Sequence, residues 1–287
     1  MKKTPFFDIH TQLGAKISLF GGYQMPIQYS GVRQEHLAVR QNLGVFDVSH
    51  MGEFMVEGPH AFDLLQFICS NDISKLITGK AQYNYLPNDQ GGLVDDLIVY
   101  QLQLEKYLLV VNASNVKKDW DHIERQNKKF NARLENVSEK TALLAIQGPK
   151  ALAAMQSICN AQLHQLAHYS HTTTTFAGVK NILVATTGYS GAGGIEIYFD
   201  VSNAEKIWNA VMEAGADFGI LPVGLAARDT LRLEMGYCLY GNEINDQSCP
   251  ISAGLGWVTK PHTDFLNAQM LQKSIEEGTG EKLVGFQ

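Results

Sequence analysis

Cysteine is scarce in this sequence of 287 residues: Cys69, Cys159, Cys238 and Cys249 are the only four, widely spaced and without a C-x-x-C pair. That excludes a disulfide framework and reads as reduced, mostly buried thiols of a cytoplasmic protein. Proline is also sparse, at 8 residues. No apolar run approaches the roughly 20 residues that span a bilayer, so a membrane is not an expected partner. The start, Met1-Lys-Lys-Thr-Pro5, has two basic residues but no apolar stretch behind them, and Arg and Ser are too few there for a transit peptide. Basic side chains are in deficit, 23 against 29 acidic with a formal net charge of -6, so the electrostatic footprint of a nucleic-acid binder is missing. The 9 His form neither H-E-x-x-H nor a His/Cys ligand spacing, and no metal is expected. His164, His168 and His171 come nearest to a cluster and read as surface residues. There is no Ser-centred nucleophile elbow.

What is present is an ordinary globular composition, 45% hydrophobic and 18% charged with 26 Gly, long enough for one large domain or two smaller ones. Periodicity predicts a helix from Val32 to Asn42 with a stop at Leu43-Gly44. A strand from Val45 to Val56, interrupted near Ser49-His50, leads to Gly58-Pro59 and a helix carrying Ala61, Leu64, Leu65 and Ile68. An antiparallel meander follows: Tyr83 to Leu86, a turn at Asn88 to Gly92, Leu93 to Gln103, a turn at Glu105-Lys106, and Tyr107 to Asn112. Asn112-Ala-Ser-Asn115 is expected to cap a helix through Trp120 and Ile123. Further on come a strand at Thr141 to Ile146, a helix at Pro149 to Ile158, the His/Thr-rich segment His164 to Thr175, and strands at Asn181 to Thr186 and Ile195 to Val201. A helix with Trp208 and Val211, another from about Leu225 to Gly236, and a strand-like end at Lys282 to Gln287 complete the chain. Hairpins mixed irregularly with helices indicate an α+β fold and not a doubly wound parallel sheet.

The chain repeats itself. Val56-Glu-Gly-Pro-His-Ala-Phe-Asp-Leu-Leu-Gln-Phe-Ile-Cys69 aligns with Ile146-Gln-Gly-Pro-Lys-Ala-Leu-Ala-Ala-Met-Gln-Ser-Ile-Cys159, sharing Gly, Pro, Ala, Gln, Ile and Cys. Strand–Gly-Pro–helix is a common junction, but the shared Gln, Ile and Cys point to two related α+β lobes. The shared cysteines are then packing residues.

Few residues stand out as chemistry. Asp95 and Asp96 interrupt the apolar strand Leu93-Val-Asp-Asp-Leu-Ile-Val-Tyr100. Asp is disfavoured in strands and costly to bury. Neighbours on a strand face opposite ways, so the two carboxylates have different tasks, Asp96 sharing its face with Val94, Ile98 and Tyr100. The plainer reading makes one Asp exposed and the other a cap on the turn. Tyr83 and Tyr85 share a face of the preceding strand, beside one carboxylate, where rings serve packing or an aromatic heterocyclic ligand. The Gly-rich Gly188-Tyr-Ser-Gly-Ala-Gly-Gly-Ile-Glu196 leads into a strand, so it reads as a hairpin turn and not as a phosphate cradle. Glu196 there is either solvated or aimed into a site. Arg228 lies near a helix start, where the dipole disfavours a cation and an anionic partner is expected. Arg232 shares its face, and surface pairing with Asp229 or Glu234 is the alternative.

Together these segments resemble the glycine cleavage system T-protein family, folate-dependent aminomethyltransferases, over nearly the whole chain. The resemblance rests on Thr4-Pro-Phe-Phe7, Leu13-Gly-Ala15, Gly22-Tyr-Gln-Met-Pro26 and Gly44-Val-Phe-Asp-Val-Ser-His-Met-Gly-Glu53. It continues through Gly91-Gly-Leu-Val-Asp-Asp-Leu97, Val111-Asn-Ala113, Gln147-Gly-Pro149, Gly188-Tyr-Ser-Gly191, Gly224-Leu-Ala-Ala-Arg-Asp229, Leu233-Glu234 and Leu239-Tyr-Gly-Asn242. The phrase around His50 and the Asp-Asp strand are its specific parts.

The resemblance implies an enzyme in which tetrahydrofolate, as acceptor substrate, takes the methylene of an aminomethyl group from the lipoyl arm of H-protein. Ammonia is released and 5,10-methylenetetrahydrofolate formed. It implies Asp96 as the catalytic carboxylate beside the reacting folate nitrogens. Tyr83, Asn112, Tyr189, Glu196 and Arg228 would line the folate pocket, with Glu196 accepting from the pterin N–H donors and Arg228 meeting a carboxylate. It also implies a folate-binding core over residues 1–275, in two interleaved lobes of about 1–50 with 140–240 and 51–139 with 241–275. Residues 276–287 would then begin a C-terminal β-barrel that is largely absent. The family's usual Gly-Tyr-Thr-Gly-Glu-Asp-Gly turn is altered, with Ser190, Ala192 and Gly193 removing two acidic residues. Three alternatives stand beside this reading. One is the folate domain of a sarcosine or dimethylglycine dehydrogenase, for which no flavin-binding fingerprint is present. Another is a folate-binding factor of iron–sulfur and tRNA modification, whose Lys-Gly-Cys-Tyr-x-Gly-Gln-Glu signature is only partly matched by Met235 to Glu243. The third is an inactive folate-binding module.

Overall fold

A computed structural model describes residues 1–285. The chain divides into two compact units, residues 1–50 with 138–237, and residues 51–137 with 238–287.

The first unit is built on a six-stranded sheet in the order His171–Phe176, Val179–Ala185, Gly194–Asp200, Thr141–Gln147, Leu43–Asp47, Ile220–Pro222. All neighbours are antiparallel except the last pair. The central strands are continuous apolar runs because both faces are covered. Leu43, Val45, Leu144, Ile146, Ile195 and Ile197 pack with Ala151, Met155, Ile207, Trp208 and Val211 of the helices Ala151–Met155 and Ala204–Gly215. Phe6 lies wholly buried against Trp208, ring centroids 5.5 Å apart. His10 is buried beside it, its Nε2 2.9 Å from Asp47 Oδ2 and its Nδ1 2.8 Å from Tyr29 Oη. A small sheet of Lys2–Lys3, Tyr23–Gln28 and Lys16–Phe20, with no counterpart in the sequence reading, completes the N-terminal part.

The second unit is a five-stranded antiparallel sheet, in the order Ala81–Pro87, Leu93–Gln103, Lys106–Val111, Gly52–Glu57, Arg133–Asn136. The helices Ala61–Ile68 and Val116–Asn127 supply Leu64, Leu65, Ile68 and Ile123 to its core. A second apolar cluster gathers Tyr85, Leu93, Ile244, Leu255, Val258, Phe265 and Leu271.

The repeated sequence is a repeated structure. In each copy a strand ends at a glycine with positive φ, Gly58 at 100° and Gly148 at 135°, and a helix follows. The shared glutamine then binds the chain beyond its helix. Gln66 donates to the Asn71 carbonyl at 3.2 Å and accepts from the Ile73 N–H at 3.0 Å. Gln156 donates to the Ala161 carbonyl at 2.9 Å and accepts from the Leu163 N–H at 2.9 Å. A short helical turn and a strand come next in both. The shared cysteines, Cys69 and Cys159, are buried, and burial pushes both thiols up, so they pack and do not react.

Several expectations need correction. The helix Val32–Gln41 does stop before Leu43-Gly44, but those two residues already belong to the strand Leu43–Asp47, which was expected to start at Val45. The interruption at Ser49-His50 divides two strands that belong to different sheets. The His/Thr-rich segment contributes the strand His171–Phe176, and His171 is buried at its start, while His164 and His168 are exposed. Cross-strand pairing of Thr172, Thr173 and Thr174 with Val184, Leu183 and Ile182 overrides its polar look. Asn115 does not cap its helix, since its amide goes to Asp95. Residues 282–285 carry no strand, and the rest of the expected strand lies outside the described residues.

If the two glutamines play one part, Gln66→Met and Gln156→Met, similar in volume, should each leave a backbone N–H without its acceptor. Each should cost about 1–3 kcal/mol. Urea denaturation should show comparable losses at the two positions.

Candidate functional site

The Asp-Asp strand is the densest polar feature of the second unit. Asp95 is fully buried and Asp96 half-buried on the strand Leu93–Gln103. Their side chains need donors in a dry place, and the next segments deliver them. Asn112 donates its backbone N–H to Asp95 Oδ2 at 2.9 Å. Its side-chain amide donates to Asp95 Oδ1 at 2.9 Å and to Asp96 Oδ1 at 2.8 Å. Asn115 adds a donor to Asp95 Oδ1 at 2.7 Å. Tyr83 Oη donates to Asp96 Oδ2 at 2.9 Å. The strand register explains the last bond: Tyr85 sits directly opposite Asp96, and Tyr83, two residues along the same face, reaches the carboxylate diagonally.

Neither Asp fits the plainer reading of an exposed residue and a turn cap. Burial is the first reason that Asp96 is raised, and the Asp95 charge the second; together they push it up to about 7. Asp95 is also raised by burial, with Asp119, Asn112 and Asn115 pulling against it. Tyr83 carries a second feature. Its ring stacks on Trp257 at 5.7 Å and 12°, and Trp257 is 63% exposed. A flat aromatic pair thus adjoins a raised, partly open carboxylate. Trp257 lies in a glycine-flanked stretch with no periodic pattern, so nothing in the sequence flagged it.

The first unit carries the other candidates. The hairpin turn after Val179–Ala185 is pinned by Gln147, whose amide donates to the carbonyls of Thr187 and Ile195 at 3.2 and 3.3 Å. Ser190 Oγ donates to Gln147 Oε1 at 2.7 Å. Glu196 stands on the central strand Gly194–Asp200, opposite Ala145 and Ala185, and is buried. It is therefore not solvated, and Thr187 Oγ1 donates to its carboxylate. Its register partners on both flanking strands are alanines. Arg228 lies over the Tyr189 ring, 4.4 Å from its centroid, and Tyr189 stacks on Tyr237 at 5.8 Å and 26°. The surface ion pair proposed for the helix belongs instead to Arg232, whose Nε donates to Asp229 at 2.8 Å. Glu234 is held by Arg40 at 2.8 Å. Arg228 is left to its aromatic face and to the field of Glu196. His50 is buried, and burial, with Arg228 adding to it against Asp47, drives it down to about 4, so the imidazole is neutral at ordinary pH.

The structure therefore gathers Tyr83, Asp96 and Asn112 in one unit, and Tyr189, Glu196 and Arg228 in the other. Sequence reasoning missed Asn115, Asp119, Gln147, Thr187 and Trp257. Gln147 could have been found, since a polar residue ends an apolar strand beside the repeated Gly-Pro. Among the described residues no group of three or more His, Cys, Asp or Glu is arranged to hold a metal ion. No helix among them is long and apolar enough to cross a membrane.

Chemically, the second unit offers a half-buried carboxylate raised to about 7. The first offers an acceptor carboxylate and a stacked cation.

Residues 6–263 match the model of the GCVT N-terminal domain. The aminomethyltransferase of Bacteroides fragilis is 56% identical over 289 residues, covering the whole chain and 80% of that protein. The aminomethyltransferase of Flavobacterium psychrophilum is 55% identical, covering the whole chain and 79% of that protein. The crystal structure of glycine cleavage system aminomethyltransferase T from Bartonella henselae superposes with a TM-score of 0.89 at 33% identity, over 96% of this chain and 75% of that one.

With aspartate carboxyls labelled with carbon-13, the Asp96 resonance should titrate with a midpoint about 7. In Asp95→Asn the midpoint should fall, because the neighbouring charge that disfavours ionisation is gone. A midpoint in the ordinary aspartate range in the unaltered protein would refute the electrostatic picture.

Proposed function

From the chain's membership of the GCVT N-terminal domain family, we propose how the residues of this aminomethyltransferase of glycine cleavage divide its reaction. The acceptor substrate is tetrahydrofolate. The donor is an aminomethyl group held as a thioether on the dihydrolipoyl arm of H-protein. Two folate nitrogens each give up one hydrogen as the methylene bridges them; one hydrogen ends on the dihydrolipoyl thiol and the other on the departing ammonia.

Asp96 is the catalytic residue in this reading. The observation that carries it is a carboxylate raised to about 7, held by Tyr83 and Asn112, yet still partly open. As an anion it stabilises cationic character at the methylene and at the nitrogens that flank it. Its donors fix its direction, so no reorganisation is needed as charge develops. A group that titrates near the working pH can also carry a proton between the amines. Tyr83, stacked on Trp257, offers an aromatic surface suited to a flat heterocycle.

Glu196 accepts from the paired N–H donors of the pterin. Its carboxylate stands opposite Ala145 and Ala185 and accepts from Thr187, and a carboxylate has two oxygens with which to accept. Tyr189 and Arg228 bind the remaining folate groups, the guanidinium meeting a carboxylate. The H-protein assignment rests on the family. The Ser190-Gly-Ala-Gly193 turn bears on it, since it lacks the acidic residues usual there, while Ser190 donates to Gln147.

Asp96→Asn should lower transfer from aminomethylated H-protein to tetrahydrofolate by about 10²–10³-fold, the range for removing one preorganised electrostatic group. Tetrahydrofolate affinity by calorimetry should stay within about threefold of the unaltered protein, about 0.7 kcal/mol. Glu196→Ala should weaken that affinity by about tenfold or more, as for a lost charge-assisted hydrogen bond. In the unaltered enzyme, activity should rise with pH through about 7, since Asp96 acts as the anion. Normal turnover by Asp96→Asn would remove that residue from the chemistry.

A further inference from the structure

Beneath the two carboxylates discussed above lies a third. Asp119, in the first turn of the helix Val116–Asn127, is fully buried and faces Asp95. The two carboxyls act on one another at hydrogen-bonding range, yet neither oxygen of Asp119 meets a donor. A bond between two acceptor-only groups exists only if one of them keeps its proton. The surrounding donors decide which. Three N–H groups converge on Asp95, two from Asn112 and one from Asn115. With both carboxyls ionised, no donor faces either oxygen of Asp119. Asp95 is thus built to be the anion and Asp119 the acid.

We propose that Asp119 is a standing neutral carboxylic acid whose O–H donates to Asp95, and that it acts as a positioning residue for Asp96. The second half rests on the reading of Asp96 given above. With Asp119 donating, Asp95 is held by four hydrogen bonds, and the Asn112 amide that it shares with Asp96 is held too. Asp95 also stays charged beside Asp96, which sets where Asp96 ionises. A first-turn position favours an anion, but a second buried charge in contact with the first outweighs it. Burial first, and Asp95 second, push Asp119 up to about 11. The charged and titratable neighbours are Lys118, which pulls Asp119 down, Asp96, which pushes it up, and Tyr240, which feels both Asp95 and Asp119. Lys118 is engaged by Tyr240 at 2.6 Å and Asp246 at 3.3 Å, and His122, one turn along the helix, meets Arg125 at 3.1 Å.

The test uses the whole chain with carbon-13 in its aspartate carboxyls, titrated from about pH 5 to about pH 10. One carboxyl should keep the neutral-acid shift to at least about pH 9 and vanish in Asp119→Asn. Absence of such a resonance, or its survival in Asp119→Asn, overturns the acid assignment. That readout needs neither folate nor turnover, so it is independent of the Asp96 reading. The pH profile of transfer tests the positioning role. Asp119→Leu removes the donor, makes the doubly ionised Asp95–Asp96 pair costlier, and should move the acid limb up by about one pH unit. Asp119→Asn, whose amide still donates, should bring the limb back to within about 0.3 unit of the unaltered enzyme. An unmoved limb in Asp119→Leu, or no return in Asp119→Asn, overturns the positioning role. If the unaltered enzyme shows no limb near neutrality while the neutral-acid resonance is present, the positioning role and the Asp96 reading both fall, and the acid assignment stands.

Discussion

The Asn112 side chain joins two carboxyl groups that would otherwise repel each other on adjacent residues of one strand. Its amide reaches Asp95 and Asp96 at 2.9 and 2.8 Å, and its backbone N–H adds a third bond. Without those donors the strand Leu93–Gln103 could not carry paired aspartates into a core that includes Leu97, Val99 and Leu109. The residues after the third strand of the meander are shaped by this need. Asn112 and Asn115 sit where a helix cap would normally form, yet their amides turn to the carboxylates and the helix starts without a side-chain cap. Satisfying a buried charge outweighs satisfying helix-terminal N–H groups that water can reach.

The cost of the arrangement is also its use. Burial and mutual repulsion move Asp96 into the range where a carboxylate changes charge near neutral pH, whereas an exposed Asp would be permanently ionised. An aminomethyl transfer needs a group that tolerates positive charge building up and then dispersing into neutral products. In the proposed reading, a half-buried carboxylate held by Tyr83 and Asn112 answers that need with fixed geometry. The first unit follows a different principle. Glu196 is placed by a central strand between two others, and the Gly-rich turn is tied by Gln147, so its acceptor is rigid and its charge is balanced by Arg228 stacked on Tyr189. The two units share ancestry-like local structure, a glycine break, a helix and a glutamine clasp, but they employ it for different side chains.

The meander, the repeat and most helices were legible because each has a strong local signal: alternating apolar residues, a turn of Asn and Gly, or a 3.6-residue apolar stripe. The strand at Leu43 to Asp47 and the one at His171 to Phe176 were less legible, since their ends are set by pairing with distant strands. Among site residues, Asp95, Asp96, Glu196 and Arg228 were visible as charges out of place in apolar or helix-starting contexts. Asp119 was not, because an Asp in the first turn of a helix is ordinary. Thr187 and Trp257 were not either, as a Thr before a turn and a Trp among glycines carry no local anomaly.

The sequence by itself determined the fold class, the repeated strand–Gly-Pro–helix junction, the pairing of two aspartates on one strand, and the family phrases. These are properties of short stretches, decided by side-chain pattern and backbone preference. Tertiary structure alone decided which aspartate is anchored and which is left open, that Asn115 serves Asp95 and not its helix, and that Arg232, not Arg228, takes the ion pair with Asp229. Those outcomes depend on burial and on donors arriving from distant segments. Only the folded chain assigns the charge on a carboxyl group, because that charge is a sum over its surroundings.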